Sequence, residues 1–536
     1  MDFIHRVRGW VMPSLLVAGL IYAVLGLSVN QGFYWAAGAM GLLLLVGIYD
    51  RLQNKHSILR NYPVMGHLRF LMESAGPEMH QYFVESNTSG RPFDRDQRSL
   101  VYRRAKNQDA VKPFGTEKDV YGYGYGFASH SALPQPAMKD ASRTLRVSVG
   151  GPDCTAPYSA SILNISAMSF GALSANAVLA LNRGAKKGGF AHDTGEGGLS
   201  RYHAEGGGDL IWQIGTGYFG CRTDDGGFDP GLFQETSQSP QVKMVEIKLS
   251  QGAKPGHGGI LPAAKISPEI AAARKVPMGQ DCFSPPGHSA FSTPTGLLDF
   301  VVSLREKCGG KPVGFKLCVG DPREFYAICK AMVETGITPD FITVDGGEGG
   351  TGAAPQEFSD SLGYPLRDAL LLVHNALVGV NLRDKIRIAA SGKVFASYGM
   401  ASALALGADW CNVARGFMFS VGCIQSQLCH TNLCPVGVAT QNKRLGKAVV
   451  VDEKAERAYQ YHKNTVEGLA ETAAACGITS PSDFKPHHLF ERISPHDVRR
   501  FDQLYNFFTP GQLLDGDVPE ELSLYWNEAR PDTFGR

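Results

Sequence analysis

The chain has 536 residues, 43% of them hydrophobic, and a net charge of +1 from 52 basic and 51 acidic side chains. Such mixed charge excludes a global field of the kind that draws nucleic acid. The 11 cysteines, with no small secreted scaffold for them to staple, argue for reduced thiols rather than a disulfide framework, and the 63 glycines mark an ordinary globular chain rich in turns and close backbone approaches.

In chain order, the first elements are two apolar runs, Trp10 to Val29 and Phe33 to Tyr49, separated by Asn30-Gln31-Gly32. Each has the roughly 17–20 residues needed to cross a hydrocarbon core. Arg6 and Arg8 precede the first run, and Arg51, Lys55 and Arg60 follow the second. Basic residues on both flanks predict a two-pass hairpin in the cell membrane with everything after Asp50 in the cytoplasm. A second apolar run directly after the first, with no small-residue cleavage site, argues against a cleaved signal peptide.

From Arg60 to about Gly151 the chain is polar, aromatic and turn-rich, with Arg91-Pro92-Phe93 and Tyr121-Gly-Tyr-Gly-Tyr-Gly126 as its marks. It reads as a lead-in that wraps another domain. Strand and helix signals then alternate. The strand candidates are Ala160–Ile165, Gly189–His192, Leu210–Ile214, Val242–Leu249, Val313–Cys318, Phe341–Val344, Ile386–Ala390 and Trp410–Ala414. Helical patterns between them include Ser174–Lys187, Pro322–Thr335, Leu366–Val378 and Phe395–Leu406. Eight such units predict an α/β fold, a closed (β/α)8 TIM barrel, with a doubly wound open sheet as the alternative. The expected segments are a membrane hairpin at 1–50, the lead-in at 51–150, the barrel at 151–450 and a C-terminal helical extension at 451–536.

A barrel builds its site on the loops after its strands. Here those loops are Ala167-Met168-Ser169 through Ser174, Thr194-Gly-Glu196-Gly-Gly198, Gln251-Gly-Ala-Lys254 through Gly259, Asp345-Gly346-Gly347 through Gly352, Ser391-Gly392-Lys393 and Arg415-Gly416. Glycine lets backbone N–H groups approach a ligand, and the last two loops are where barrels cradle phosphate. A phosphorylated ligand follows, and FMN would supply two-electron chemistry. Gly215-Thr-Gly217-Tyr-Phe-Gly220 matches a dinucleotide fingerprint, but Cys221 and the residues after it cannot start the helix whose N-terminus would hold the pyrophosphate.

The most specific pattern is Gly422-Cys423-Ile-Gln-Ser-Gln-Leu-Cys429-His-Thr-Asn-Leu-Cys434-Pro435. Three thiolates crowded together and closed by Cys-Pro are iron–sulfur ligands by type. Three ligands predict either a [3Fe-4S] cluster or a cubane with an open corner, and in either case single-electron transfer.

The chain resembles the flavin and iron–sulfur domain of glutamate synthase, and in particular the stand-alone FMN-binding glutamate synthase family. The matching stretches are Met168-Ser-Phe-Gly-Ala-Leu-Ser174, Gly195-Glu-Gly-Gly198, Glu246 through Gly256, Ser284-Pro-Pro286, Asp345-Gly-Gly347 with Thr351-Gly352, and Gly422 through Gln441, in the family's order over roughly residues 155–480. The resemblance implies an oxidoreductase that reductively aminates 2-oxoglutarate with ammonia to give glutamate. It implies FMN as hydride donor and a cluster fed by an outside electron donor, such as ferredoxin, a membrane quinone or a reductase subunit. By motif, Glu196, Lys254, Arg274 and Ser292 line the keto-acid pocket, with Glu196 handling protons if enclosure raises its pKa. Lys248 and Lys316 are costly to bury unpaired, and one of them is expected at the flavin N1–O2 edge, with Gln213 at the pyrimidine edge. Two residues depart from the family's loop. His257 replaces an acidic residue and Ile260 a glutamine, which changes which ligand fits, so the substrate is 2-oxoglutarate or a related 2-keto acid. With Met1-Asp2 in place of a nucleophilic cysteine, ammonia is expected from outside the chain, free or from a glutaminase partner. A reading of another class is a flavin and iron–sulfur electron relay or scaffold in a membrane complex.

Overall fold

The computed structural model describes residues 9–535. The chain divides into two compact units that meet between Arg95 and Asp96.

In the first unit, α1 (Val11–Ser28) and α2 (Phe33–Leu52) form a helical hairpin. Its turn is tight because the Asn30 side chain accepts the Gly32 N–H at 2.8 Å. Both helices are long and apolar enough to cross a membrane, with mean hydropathies of 2.0 and 1.4. At the end of α2 the Asp50 carboxylate is buried. It accepts the Val64 N–H at 2.8 Å and meets His67 Nε2 at 2.9 Å, which fixes the path of the chain leaving the hairpin. Arg6 and Arg8 lie outside the described residues.

The second unit is a closed barrel of eight parallel strands. They are β1 (Leu163–Ile165), β2 (His192–Asp193), β3 (Leu210–Ile214), β4 (Val242–Lys248), β5 (Val313–Leu317), β6 (Phe341–Asp345), β7 (Arg387–Ser391) and β8 (Trp410–Val413). The ring closes where Cys411 pairs with Leu163. Strands β3, β5 and β6 are buried at every position, as expected when helices cover the outside and side chains fill the inside. The open-sheet alternative is thereby excluded.

Two strands differ from expectation by more than an end residue. Ala160–Ile165 is not one strand. Tyr158–Ser161 pairs antiparallel with Arg146–Val149, and the backbone changes partner at Ile162, whose N–H goes to Leu145 O at 3.2 Å. The second strand starts at His192 rather than Gly189, because Gly189 is the left-handed C-cap of α3 (Ala175–Gly188).

The helices follow local signals. Helix α4 (Pro322–Thr335) starts at an Asp321 cap with proline in its first turn and stops at left-handed Gly336. The chain after 450 contributes α5 (Val451–Ala475), which lies against α3 with Arg183 Nη1 2.7 Å from Asp452 Oδ1. Farther on, Leu489–Ser494 and Asp497–Arg500 form a three-stranded sheet with Gly126–Ala128.

Candidate active site

The C-terminal end of β4 carries Lys248, whose Nζ lies 2.9 Å from Glu196 Oε2 in the loop after β2. Lys254, in the loop after β4, is 2% exposed, and Arg274 is 6% exposed. Close packing requires glycine on either side of Glu196: a side chain at 259 would run into Glu196 Oε1, and one at 197 into the Arg274 guanidinium. Arg274 also donates to Phe170 O at 3.2 Å and lies over the Phe219 ring. Three cations thus act on one carboxylate, an excess of two positive charges around it.

The electrostatics answer whether enclosure raises the Glu196 pKa. Burial alone would raise the Glu196 pKa, but Lys248, Lys254 and Arg274 outweigh it and hold the carboxyl below its usual value. Burial lowers the Lys254 ammonium to about 8, against the pull of Glu196.

Beneath this pocket the barrel interior holds a second set of charges. Gln213 Nε2 donates to Glu246 Oε1 at 2.7 Å, and Thr343 Oγ1 to Glu246 Oε2 at 2.5 Å. Lys316 Nζ sits 3.3 Å from Asp345 Oδ2. Burial would lower the Lys316 pKa, yet Asp345, Glu246 and Asp193 hold it above the usual lysine value. Asp193 is pushed well above the carboxylate range by burial and by Glu246 beside it.

The glycine loops after β6 and β7 come together at the mouth. Gly346 N donates to Ser391 O at 2.8 Å. Gly252 N donates to Asp345 Oδ2 at 3.0 Å, in an approach so close that any side chain at 252 would strike Gly346 O. Gly392 and Lys393 both have positive φ, 141° and 53°, a turn whose successive amides suit an anion. Arg415 Nη2 reaches across to Glu348 O at 2.6 Å, and Gly416 follows it at the mouth of β8. Among the described residues the buried Gln251 Nε2 finds no hydrogen-bond partner. With Lys248 and Lys316 it adds donors to one mouth, a set that fits the carbonyl edge and phosphate of FMN. Met168 N donates to Asp193 O at 3.2 Å, which lays Met168 and Ser169 against the loop after β2.

Cys423, Cys429 and Cys434 are free thiols on one winding loop, with left-handed backbone at Gln425, Gln427 and Asn432. Such strain persists only where surrounding contacts over-determine it. Burial raises the Cys423 thiol to about 12, with Cys429 and Cys434 close enough to add to the effect. Among the described residues no three His, Cys, Asp or Glu side chains converge on a single metal ion; cluster thiolates bind separate irons and need not converge. Lys265, buried beside them, is lowered to about 8 by burial, with Cys429 and Cys434 opposing. A buried ammonium next to thiols fits an anionic group there.

The structure gathers Glu196, Lys248, Lys254 and Arg274 at one place, but Ser292 is exposed, one residue ahead of the Thr293 cap of helix Pro294–Lys307. Ile260 is half-buried on a short strand paired with Phe283. His257 packs edge-on to Phe358 at 5.3 Å. Sequence reasoning missed Asp193, Glu246, Gln251 and Lys265. A carboxylate inside the apolar strand Val242–Lys248 was the available signal for Glu246; Lys265, in a turn between prolines 262 and 268, gave none.

Residues 155–479, more than half of the chain, match the conserved region in glutamate synthase. The Bacillus subtilis glutamate synthase large subunit-like protein YerD is 39% identical over 509 residues, covering 88% of this chain and 97% of YerD. The chain belongs to the glutamate synthase family. It is thereby an enzyme of an oxidoreductase class acting on CH–NH2 donors. An archaeal glutamate synthase [NADPH] from Methanocaldococcus jannaschii is 35% identical over 317 residues. The match spans 59% of each chain, so this glutamate synthase relative covers only about six-tenths of the archaeal protein. A mutant flavocytochrome b2 solved with pyruvate bound has 13% identity and a TM-score of 0.41, over 85% of this chain and 91% of that one.

Proposed function

We propose that the chain is a membrane-anchored FMN and iron–sulfur oxidoreductase that reductively aminates 2-oxoglutarate, or a related 2-keto acid, to glutamate or the matching amino acid. The observation that carries this reading is the cluster in which Lys248, Lys254 and Arg274 act on Glu196. Its excess of two positive charges matches a dicarboxylate. Lys254 and Arg274 bind the carboxylates as charge-assisted donors. Lys248 holds Glu196 ionised, and a bound dianion offsets the other two cations, which raises Glu196 toward the range where it takes and returns a proton. The ammonium of Lys316, braced by Asp345, faces the mouth where the flavin would lie, and Gly346, Gly347, Ser391, Gly392, Lys393, Arg415 and Gly416 would hold its phosphate end. Bound FMN would supply hydride chemistry, and a cluster on Cys423, Cys429 and Cys434 would supply single electrons. Ammonia comes from outside the chain, free or from a glutaminase partner, and electrons come from ferredoxin or a reductase subunit. The apolar hairpin supports a two-pass anchor with the barrel on the cytoplasmic side.

A second reading is favoured by Ile260, an apolar residue beside Gly259 at the Glu196 wall, where the resemblance implies glutamine. On that reading the chain is an electron relay in a membrane complex. The two are separated by reducing the purified protein without oxygen and adding 2-oxoglutarate with ammonium. Reoxidation of the flavin absorbance supports the synthase. A reduced flavin that responds to no 2-keto acid supports the relay.

A further inference from the structure

Four consecutive carbonyls in the loop after β1 are taken by side chains from three separate segments. Arg274 Nη2 donates to Phe170 O at 3.2 Å, Gln441 Nε2 to Gly171 O at 3.1 Å and to Leu173 O at 2.7 Å, and Lys265 Nζ to Ala172 O at 2.5 Å. Arg274 belongs to the cation pocket. Lys265 belongs equally to the cysteine loop, because its Nζ also donates to Cys429 O at 3.1 Å. From inside that loop Asn432 Nδ2 reaches back to Ala264 O at 2.7 Å. The segment that carries Met168 and Ser169 toward the flavin mouth is therefore clamped between the substrate cations and the cysteines.

Lys265 has a property that a mere clamp does not need. It is 2% exposed, its hydrogen bonds go to two carbonyls, and among the described residues no carboxylate pairs with it. The chain it touches on one side is the cysteine loop, through the Cys429 carbonyl. A buried ammonium without an anion is costly, so the negative charge must come from the cysteine side. Resting on the cluster reading above, we infer that Lys265 is a positioning residue that ties the cluster loop to the flavin loop and sets the cluster's reduction potential. One-electron reduction adds one negative charge to the cluster. A fixed ammonium held on the Cys429 carbonyl favours that state, so the potential is higher with Lys265 than without it.

The test is an EPR-monitored redox titration of the full chain, reconstituted anaerobically, as wild type, Lys265→Gln and Lys265→Arg. Glutamine keeps an N–H donor and removes the charge; arginine keeps both. Lys265→Gln should lower the cluster potential by at least tenfold in the one-electron equilibrium, about 59 mV, with iron and FMN contents unchanged. Lys265→Arg should stay at the wild-type value. A glutamine variant with the wild-type potential overturns the inference and leaves the cluster reading standing. Wild-type protein that takes up no iron overturns the cluster reading and this inference with it. If Lys265→Gln takes up no iron, the arginine variant decides: a wild-type potential supports the charge, and a tenfold shift overturns it.

Discussion

Replacing Lys254 with methionine removes one of the two cations free to meet a substrate carboxylate and leaves the Lys248–Glu196 pair, at 2.9 Å, in place. The pocket's excess charge falls from two to one. A dicarboxylate then buries one carboxylate against Arg274 and one against a thioether. Leaving a buried charge without its partner costs about 3–5 kcal/mol, which is roughly 10²–10⁴-fold in affinity. Lys254 is 2% exposed, so solvent does little to reduce that penalty. The pH dependence gives an independent check. The Lys254 ammonium titrates at about 8 without ligand, and a dianion binds the protonated form. Wild-type affinity for 2-oxoglutarate should therefore hold steady up to about pH 8 and weaken above it, by up to about tenfold per pH unit. The variant should bind weakly and show no such fall. Isothermal titration of the oxidised protein with 2-oxoglutarate, alongside its FMN content, measures both. A variant with wild-type affinity, or one that keeps the fall above pH 8, refutes the argument.

Cys429→Ser should remove iron while sparing most of the flavin, because the flavin loops lie on other strands; elemental analysis against the flavin absorbance reads this directly. At the other end of the barrel, Asp340 accepts from Val313 N at 2.7 Å and Gly151 N at 2.6 Å and pairs with Arg305 Nε at 3.1 Å. Asp340→Ala should thus cost about 3–5 kcal/mol in urea unfolding, and a loss below about 1 kcal/mol would contradict it. Buried His462, with its Nε2 2.9 Å from Ser161 Oγ, has its pKa lowered to about 3 by burial. The unfolded chain takes up this proton below the usual 6.5 and the folded one does not, so stability falls with pH from about 6.5 toward 3. That is about 2 kcal/mol between pH 6.5 and 5, a share that should vanish from the pH dependence in His462→Phe. Finally, a chain beginning at Asp96 should fold, bind FMN and stay in the soluble fraction on ultracentrifugation, since the apolar hairpin belongs to the other compact unit; sedimentation with membranes would count against the anchor.

What the sequence settled by itself was local. Helix Pro322–Thr335 was legible to the residue because Asp321, Pro322 and Gly336 are backbone instructions that act within one turn. The barrel strands were legible because a parallel sheet buried on both faces writes itself as short apolar runs. The glycine loops, the apolar hairpin and the cysteine triplet were visible for the same reason: each is contiguous in the chain. The first strand misled because Tyr158–Ser161 and Leu163–Ile165 share one apolar run but pair with different partners, and strand propensity says nothing of the partner. The same limit governs the site. Lys248 meets Glu196 from 52 positions away, and Lys265 joins Ala172 to Cys429 across 93 and 164 positions. Enclosure by itself does not raise the Glu196 pKa, because it brings three cations along with the desolvation. Ser292, which the motif placed in the pocket, lies exposed before a helix cap. Coulomb and desolvation energies depend on which charges fold to within a few ångströms of one another, and only closure of the barrel decides that.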